Sequence, residues 1–338
     1  MTKFYFYPKI TLKPGEVKNS YVDDFENAIS VHHEVVNKEP SSKGVLDFFK
    51  YLGKTDIYLF NWIEDIPRRK MGKLQVLFFI IFLRLAKIQR KKIIWIFHNK
   101  YSHNLSKNRW TDFMFKTMMK NADMILTHSN EGIEFAKEKY PKYAHKIKYE
   151  IHPIKDKLPN KSTQKKYDFL FWGSIHPYKD IVKFLNFIRT QDHINVPRIL
   201  IIGRCFNEDY KKLLRSSLTA EMVFEDKFYD MEDIAQFAAQ SKFILFTYNS
   251  GSVLSSGALM DSLRMNAHII GPNHGAFKDL SYLPIVHVFD EFEDIITIYT
   301  DSYEIQASDH DELEQFYEKN SWRRFGDKIR NHAAQLLD

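Results

Sequence analysis

The stretch Tyr248-Asn249-Ser250-Gly251-Ser252-Val253-Leu254-Ser255-Ser256-Gly257-Ala258-Leu259-Met260 is the most chemically informative in this chain. Apolar Phe243-Ile244-Leu245-Phe246 stops at a patch of small residues. A helix-forming segment then runs from Gly257 to Met265, and a second apolar run ends Ile269-Ile270-Gly271-Pro272. This is strand, small-residue turn, helix, strand. Such a turn sets backbone N–H groups and serine hydroxyls at the positive end of a helix, where a phosphate or diphosphate can be held. The plainer reading is a helix N-cap by Ser255 or Ser256 with no ligand. Two further turns carry the same theme: Trp172-Gly173-Ser174 with Tyr178-Lys179, and Ile202-Gly203-Arg204. Glycine lets a backbone approach a ligand, and the cation neutralises phosphate. Each turn alone is common in α/β proteins, but three on one edge favour an anionic ligand.

The first half offers different chemistry. Three apolar runs are followed by Asn61-Trp62-Ile63-Glu64-Asp65, by His98-Asn99-Lys100-Tyr101-Ser102-His103 and by Thr127-His128-Ser129. Imidazoles and carboxylates there are candidate acids or bases, and Trp62 is a platform for a sugar ring. A single histidine after a strand is more often structural, yet three such loops on one edge favour a functional reading. The His and Glu spacings match no zinc signature, so no structural metal is expected.

These residues need a scaffold, and the pattern supplies one. Strands are expected at Lys3 to Tyr7, Glu34 to Val36, Asp56 to Phe60, Ile93 to Phe97 and Met124 to Leu126. Helices are expected at Tyr21 to Ser30, Gly44 to Tyr51, Gly72 to Gln89, Arg109 to Asn121 and Glu131 to Glu138. The polar, lysine-rich, proline-broken stretch from His152 through Lys166 marks a domain boundary. The alternation then restarts with strands at Asp168 to Trp172, Ile199 to Ile202, Met222 to Phe224 and Phe243 to Phe246. Helices fall at Ile181 to Thr190, Met231 to Gln240 and Ser321 to Leu337. Strand alternating with helix implies βαβ units and parallel sheets covered on both faces. The fold class is therefore α/β, with two doubly wound, Rossmann-like domains facing a cleft. Ligands in such sheets bind beyond the carboxyl ends of the strands, which is where the residues above stand.

Composition narrows the partners. A chain of 338 residues suggests two domains. A net charge of +6 suits a polyanionic partner: nucleic acid, anionic lipid or sugar nucleotide. The basic residues are scattered and no DNA or RNA motif appears, so nucleic acid is not expected. The single cysteine, Cys205, excludes a disulfide framework and fits a reducing compartment. Met1-Thr2-Lys3 leads directly into an alternating aromatic segment, so no signal peptide is read there. Leu74 to Leu83 is nearly all apolar but too short to span a bilayer. It is flanked by Arg68-Arg69-Lys70, Lys73, Lys87, Arg90, Lys91 and Lys92. A buried crossover helix is the plainer reading, and a helix at an anionic lipid surface the sharper one.

The second half resembles the donor domain of a GT-B glycosyltransferase near family 4. Phe169-Leu170-Phe171-Trp172-Gly173-Ser174 with Tyr178-Lys179-Asp180 is similar to that family's first glycine turn, and Leu200-Ile201-Ile202-Gly203 to its second strand. Asp230 to Ile244 resembles its "eel…ly..ad" helix and following strand. Ser255-Ser256-Gly257-Ala258-Leu259 with Ala267-His268-Ile269-Ile270-Gly271-Pro272 resembles its phosphate-binding helix and next strand. Trp95-Ile96-Phe97-His98-Asn99 followed by His103 resembles a segment of bacterial exopolysaccharide transferases. The likeness departs in two places. The family's usual arginine is Ser174 here. Where many retaining members carry Glu-x7-Glu, this chain has Val253 and Asp261, so the first carboxylate is missing.

The resemblance implies an acceptor-binding domain over residues 1–155, a donor-binding domain over 156–315, and a terminal helix over 316–338 crossing back to the first domain. It implies hexose transfer from a nucleotide diphosphate sugar, the co-substrate, to a saccharide or lipid-linked saccharide in surface polysaccharide synthesis. No metal or other cofactor is implied. The donor would meet Gly173, Ser174, Lys179, Arg204, Tyr248, Ser255, Ser256 and Gly257. Asn61, Trp62, Asn99 and His103 would shape the acceptor site. His98 and Glu64 are the catalytic candidates, with Asp65 a third candidate base. If configuration is retained, His98 would instead bind the donor sugar. The expected location is cytoplasmic, at the inner face of the cell membrane if the lipid contact is made. Two alternatives stay open: a sugar-nucleotide epimerase of the same architecture, and a non-catalytic nucleotide-sugar-binding protein.

Overall fold

The computed structural model describes residues 1–9, 20–100, 109–155, 164–191, 196–249, 254–301 and 307–338. The chain divides into two compact units. The first comprises Met1–Pro153, Ser252–Leu254 and Glu318–Asp338, the second Ile154–Gly251 and Ser255–Tyr317.

In the first unit, strands β1 (Lys3–Tyr7), β2 (Glu34–Val35), β3 (Ile57–Asn61), β4 (Lys92–Phe97), β5 (Met124–Thr127) and β6 (Ile147–Tyr149) form one sheet in the order β2-β1-β3-β4-β5-β6. Every pairing is parallel. Parallel strands need helical crossovers: α1 (Ser20–Ser30), α2 (Leu46–Lys50), α3 (Gly72–Ile88), α4 (Arg109–Asn121) and α5 (Asn130–Lys139). The two-residue period of β1 sends its rings to opposite sides. Tyr5 and Tyr7 join Phe48, Phe79, Phe82, Trp95 and Phe115 in one core, while Phe4 and Phe6 join Phe25 and Ile29 in the other. Burial on both faces explains why these strands read as unbroken apolar runs.

The second unit repeats the design. Strands β7 (Tyr167–Trp172), β8 (Ile199–Ile202), β9 (Met222–Glu225), β10 (Ser241–Leu245), β11 (His268–Pro272) and β12 (Val286–Phe289) pair in the order β12-β11-β10-β7-β8-β9, again all parallel. Its helices are α6 (Ile181–Arg189), α7 (Glu208–Ser216), α8 (Met231–Ala239), α9 (Gly257–Ser262), α10 (Gly275–Asp279), α11 (Phe292–Thr300) and α12 (Ala307–Lys319). The strand order reverses between β7 and β10, which makes their carboxyl ends the switch point of the sheet.

A last helix, α13 (Trp322–Leu337), is N-capped by Ser321, whose hydroxyl accepts from Arg324 N. It packs on α1 within the first unit. Gly326 lies so close to the Ala28 carbonyl that a Cβ there would stand 2.5 Å from its oxygen. Glu150 ties the helix down through His332 and Lys328, each at 2.8 Å.

Several elements differ from expectation. Asn61 is the last residue of β3 rather than the first of a loop. The helix expected over Gly257 to Met265 stops at Ser262, where Met265 N closes a turn on the Ser262 carbonyl and Asn266 takes a left-handed φ of 58°. β6, β12, α7, α10, α11 and α12 were not anticipated. β6 has only three residues, and α7 is short and mostly charged, burying only Tyr210 and Leu214. Among the described residues, no helix is long and apolar enough to cross a membrane.

Candidate functional site

The carboxyl edge of the second sheet is assembled around β7. Gly173 follows it with φ +89°, and Gly203 follows β8 with φ +139°. A Cβ on Gly203 would stand 1.9 Å from the Gly173 carbonyl oxygen, so the two turns touch backbone to backbone. Ile175 N donates to the Arg204 carbonyl at 2.9 Å and locks them together. Only glycine satisfies both the conformation and the approach at position 203.

Behind this double turn sits Lys179. It closes the short 3-10 turn Pro177–Lys179 and is 7% exposed. Its Nζ donates to the Trp172 carbonyl at 2.9 Å and lies 5.8 Å from the centre of the Tyr248 ring. Burial pushes the amine down to about 8. A Cβ on Gly173 would stand 3.5 Å from this nitrogen, so the glycine leaves the ammonium approachable over the turn.

The chain after β10 is fastened to the same turn. The Thr247 hydroxyl donates to the Lys179 carbonyl, and Asn249 N donates to the Tyr178 carbonyl at 3.0 Å. Tyr248 reaches Ser256 hydroxyl to hydroxyl at 3.3 Å. Trp172 Nε1 donates to Ser262 Oγ at 3.0 Å, which pins α9 to the end of β7. Ser255 Oγ is buried with no hydrogen-bond partner among the described residues. Gly257 is exposed, and a Cβ on it would meet nothing within 4 Å among the described residues.

The expected donor residues therefore gather in two groups. Gly173, Lys179, Tyr248 and Ser256 form one linked cluster with Ser255 and Gly257 beside it; Ser174 is exposed on the turn. Arg204 is turned toward β9. It donates to the Asp226 carbonyl at 3.0 Å and lies beside the exposed, mutually packed rings of Phe206 and Phe228, 5.8 and 5.9 Å from their centres. Those two rings had no signal in the sequence, because isolated surface phenylalanines carry no period. Asp261 is paired with Lys155 at 3.9 Å, so the carboxylate that remains at the Glu-x7-Glu positions is engaged. Ser250, Gly251, Ser252 and Val253 lie outside the described residues.

A pocket of about 470 Å³ opens at the ends of β10, β11 and β12, against Tyr248 and Asn249. Asp180, Asp290, Glu291 and Glu293 line it against the single cation Lys183, so it disfavours a diphosphate. The buried cation of this edge is Lys179, which does not line the cavity.

In the first unit the carboxyl edge is an aromatic and imidazole cluster. Asn61 Nδ2 donates to the Tyr7 carbonyl at 3.1 Å, which turns its Oδ1 toward His98 Nε2 at 3.0 Å. An amide oxygen only accepts, so His98 carries its proton on Nε2 and, when neutral, its lone pair on Nδ1. Trp62, held at a left-handed φ of 48°, stacks on His98 with centres 4.4 Å apart and planes 14° from parallel. A non-glycine residue in that conformation is costly and marks a position fixed by its surroundings. Tyr21 packs against Trp62, His98, His128, His152 and Trp322. Its hydroxyl meets His128 Nε2 at 3.0 Å, while His128 Nδ1 is held by the Glu150 carbonyl at 2.7 Å. Burial pushes His128 down to about 4, so it is neutral at physiological pH.

Glu64 lies elsewhere. It is 2% exposed in the 3-10 turn Ile63–Arg68, and Trp95 Nε1 donates to its Oε2 at 3.2 Å. Burial pushes its carboxyl up to about 8, so at neutral pH it is a protonated acid against an indole and not a carboxylate open to substrate. Asp65 is half-buried on the same turn. Asn99 is buried beside His98, and His103 lies outside the described residues. Tyr21 and Trp322 escaped sequence reasoning because both sit on helices distant in the chain from the loops they complete. Among the described residues, no cluster of three His, Cys, Asp or Glu could hold a metal ion.

No protein-family model matches the sequence, and no curated protein is significantly similar to it. Solved structures do match in fold. Anabaena Alr3699/HepE in complex with UDP and glucose superposes with a TM-score of 0.70 at 11% identity, over 99% of this chain and 100% of that one. AviGT4, a glycosyltransferase of avilamycin A biosynthesis, matches at 0.64 and 11% identity, over 100% and 98%. A glycosyltransferase from Rickettsia africae ESF-5 matches at 0.64 and 12%, over 100% and 98%. With the two parallel six-stranded sheets and their interleaved helices, these likenesses establish the two-domain α/β fold of GT-B glycosyltransferases.

Proposed function

We propose that this chain is a glycosyltransferase that takes a hexose from a nucleotide diphosphate sugar and passes it to a saccharide hydroxyl, without a bound metal, on a lipid-linked acceptor of surface polysaccharide synthesis. The observation that carries the reading is the buried Lys179 ammonium behind the Gly173–Gly203 double turn, at the switch point of the second sheet. A buried cation beside approachable glycine backbone is arranged for an anion. The solved structures support the choice of anion: HepE is seen with UDP-glucose, and MnaA of S. aureus with UDP.

Glycosyl transfer breaks the bond from the anomeric carbon to the diphosphate, so charge grows on the leaving oxygens. Lys179, the backbone N–H groups around Gly173 and Ser256, and the Ser255 hydroxyl would stabilise that charge. The exposed rings of Phe206 and Phe228 offer flat surfaces for a nucleobase, with Arg204 beside both. In the first unit, Trp62 and Asn99 would position the acceptor. His98 would either take the acceptor proton, in an inverting reaction, or hold the donor sugar in a retaining one. Glu64 acts here as a structural acid.

Incubation with nucleotide diphosphate sugars, with and without saccharide acceptors and EDTA, tests the reading by mass spectrometry. Transfer product formed in the presence of EDTA is expected. Donor turnover in the absence of acceptor would instead indicate an epimerase, and donor bound but never consumed a binding protein.

A further inference from the structure

The first unit carries an apolar face that the donor reading does not use. Helix α3 has 17 residues and turns Val76, Phe79, Phe82, Leu83 and Ala86 inward. On its outer side Leu74 is 41% exposed, Leu77 56%, Ile81 40% and Ile88 76%. At about 100° per residue these four fall within roughly 60° of one another, a single stripe about 21 Å long. Exposed Lys73, Arg84 and Lys87 run along one flank of that stripe. Between Arg68 and Lys92 there are nine lysines and arginines and no acidic residue. The neighbouring helix α4 lies on the same face of the sheet and adds exposed Trp110 and Phe113, whose rings meet at 6.2 Å, with Arg109, Lys116 and Lys120.

From this juxtaposition we infer that the outer face of α3 and α4 docks on an anionic lipid bilayer, lying in the headgroup region without crossing it. The helix is too short and too charged at its ends to span, but a leucine and isoleucine stripe beside cations, with a tryptophan at the edge, matches the interface between acyl chains and acidic headgroups. Charge decides the occupant. A second copy of the chain would bring a rim of the same sign against this one, whereas anionic lipid complements it. The inference stands on this face alone and does not depend on what the second unit binds.

The full chain should pellet with vesicles containing about one third phosphatidylglycerol in phosphatidylcholine and stay in solution with phosphatidylcholine alone. Leu77→Gln with Ile81→Gln should weaken partition at least about tenfold. Lys73→Gln, Arg84→Gln and Lys87→Gln together should weaken it about 100-fold, and raised salt should mimic that variant. All of these residues are exposed, so melting temperatures should stay within a degree or two of the parent. Leu213→Gln, at an equally exposed leucine of α7, should leave binding unchanged. No pelleting of the parent chain, or equal pelleting by parent and both variants, overturns the inference. So does a dimer in sedimentation that the Leu77/Ile81 variant dissociates while vesicles bind neither form.

Discussion

Lys179 carries a stability cost that function would explain. Its amine is lowered from 10.5 to about 8 by burial, so the folded state gives up a proton that the unfolded state keeps between those values. Below about 8 the full cost of burying the charge is present, and stability rises with pH through the window above it. Lys179→Met should therefore stabilise the fold at pH 7 by on the order of 2 kcal/mol, after allowing for the lost bond to the Trp172 carbonyl, and raise the melting temperature accordingly. The same variant should abolish binding of a nucleoside diphosphate, measured by calorimetry; a lower melting temperature or retained binding would contradict the assignment. Diphosphate affinity in the parent should also fall as pH rises past about 8. Glu64 has the opposite sign. Its folded value near 8 exceeds the ordinary 4.5, so stability is lost as pH climbs between them. Glu64→Gln keeps an acceptor for Trp95 and should leave melting at pH 4.5 unchanged while stabilising at pH 7 by on the order of 3 kcal/mol. Transfer by this variant should persist; its loss would restore Glu64 as a catalytic group.

At the scale of elements, the double glycine turn holds the carboxyl edge of the second sheet together. Gly203→Ala would force a Cβ to 1.9 Å from the Gly173 oxygen at a φ of +139°. It should cost more than about 2 kcal/mol in denaturant melts and remove any nucleotide-induced stabilisation. Full stability in that variant would mean the turns do not touch. This edge was legible from the sequence because glycine after an apolar run, followed by a cation, has one common structural meaning. The pattern of Gly173, Lys179, Tyr248 and Ser256 could be collected strand by strand. What it could not reveal was direction. Arg204 reads like Lys179, yet Asp226 and two phenylalanines draw it toward β9. Glu64 reads like a loop carboxylate, yet the 3-10 turn after Trp62 buries it against Trp95. Single-residue turns of the backbone decide such outcomes, and no periodicity records them.

Across the whole molecule, two parallel α/β units were visible as two runs of alternating strand and helix, although their strand orders differ. The parallel sheets followed from apolar strands too uniform to face water. The imidazole cluster was only half visible: His98 and His128 follow strands, whereas Tyr21 and Trp322 arrive on α1 and α13 from opposite ends of the chain. The central claim is that the second unit binds a nucleotide diphosphate through Lys179 without a metal. The most direct measurement is a thermal-shift titration of the parent chain and Lys179→Met with UDP, GDP, ADP, TDP and CMP, each with and without EDTA. One diphosphate should raise the parent's melting temperature equally in both buffers, by about 3 kcal/mol of linkage at a hundredfold excess over its dissociation constant, and should leave the variant unmoved. No shift with any of them, or a shift that EDTA abolishes, or one that the variant retains, would contradict it.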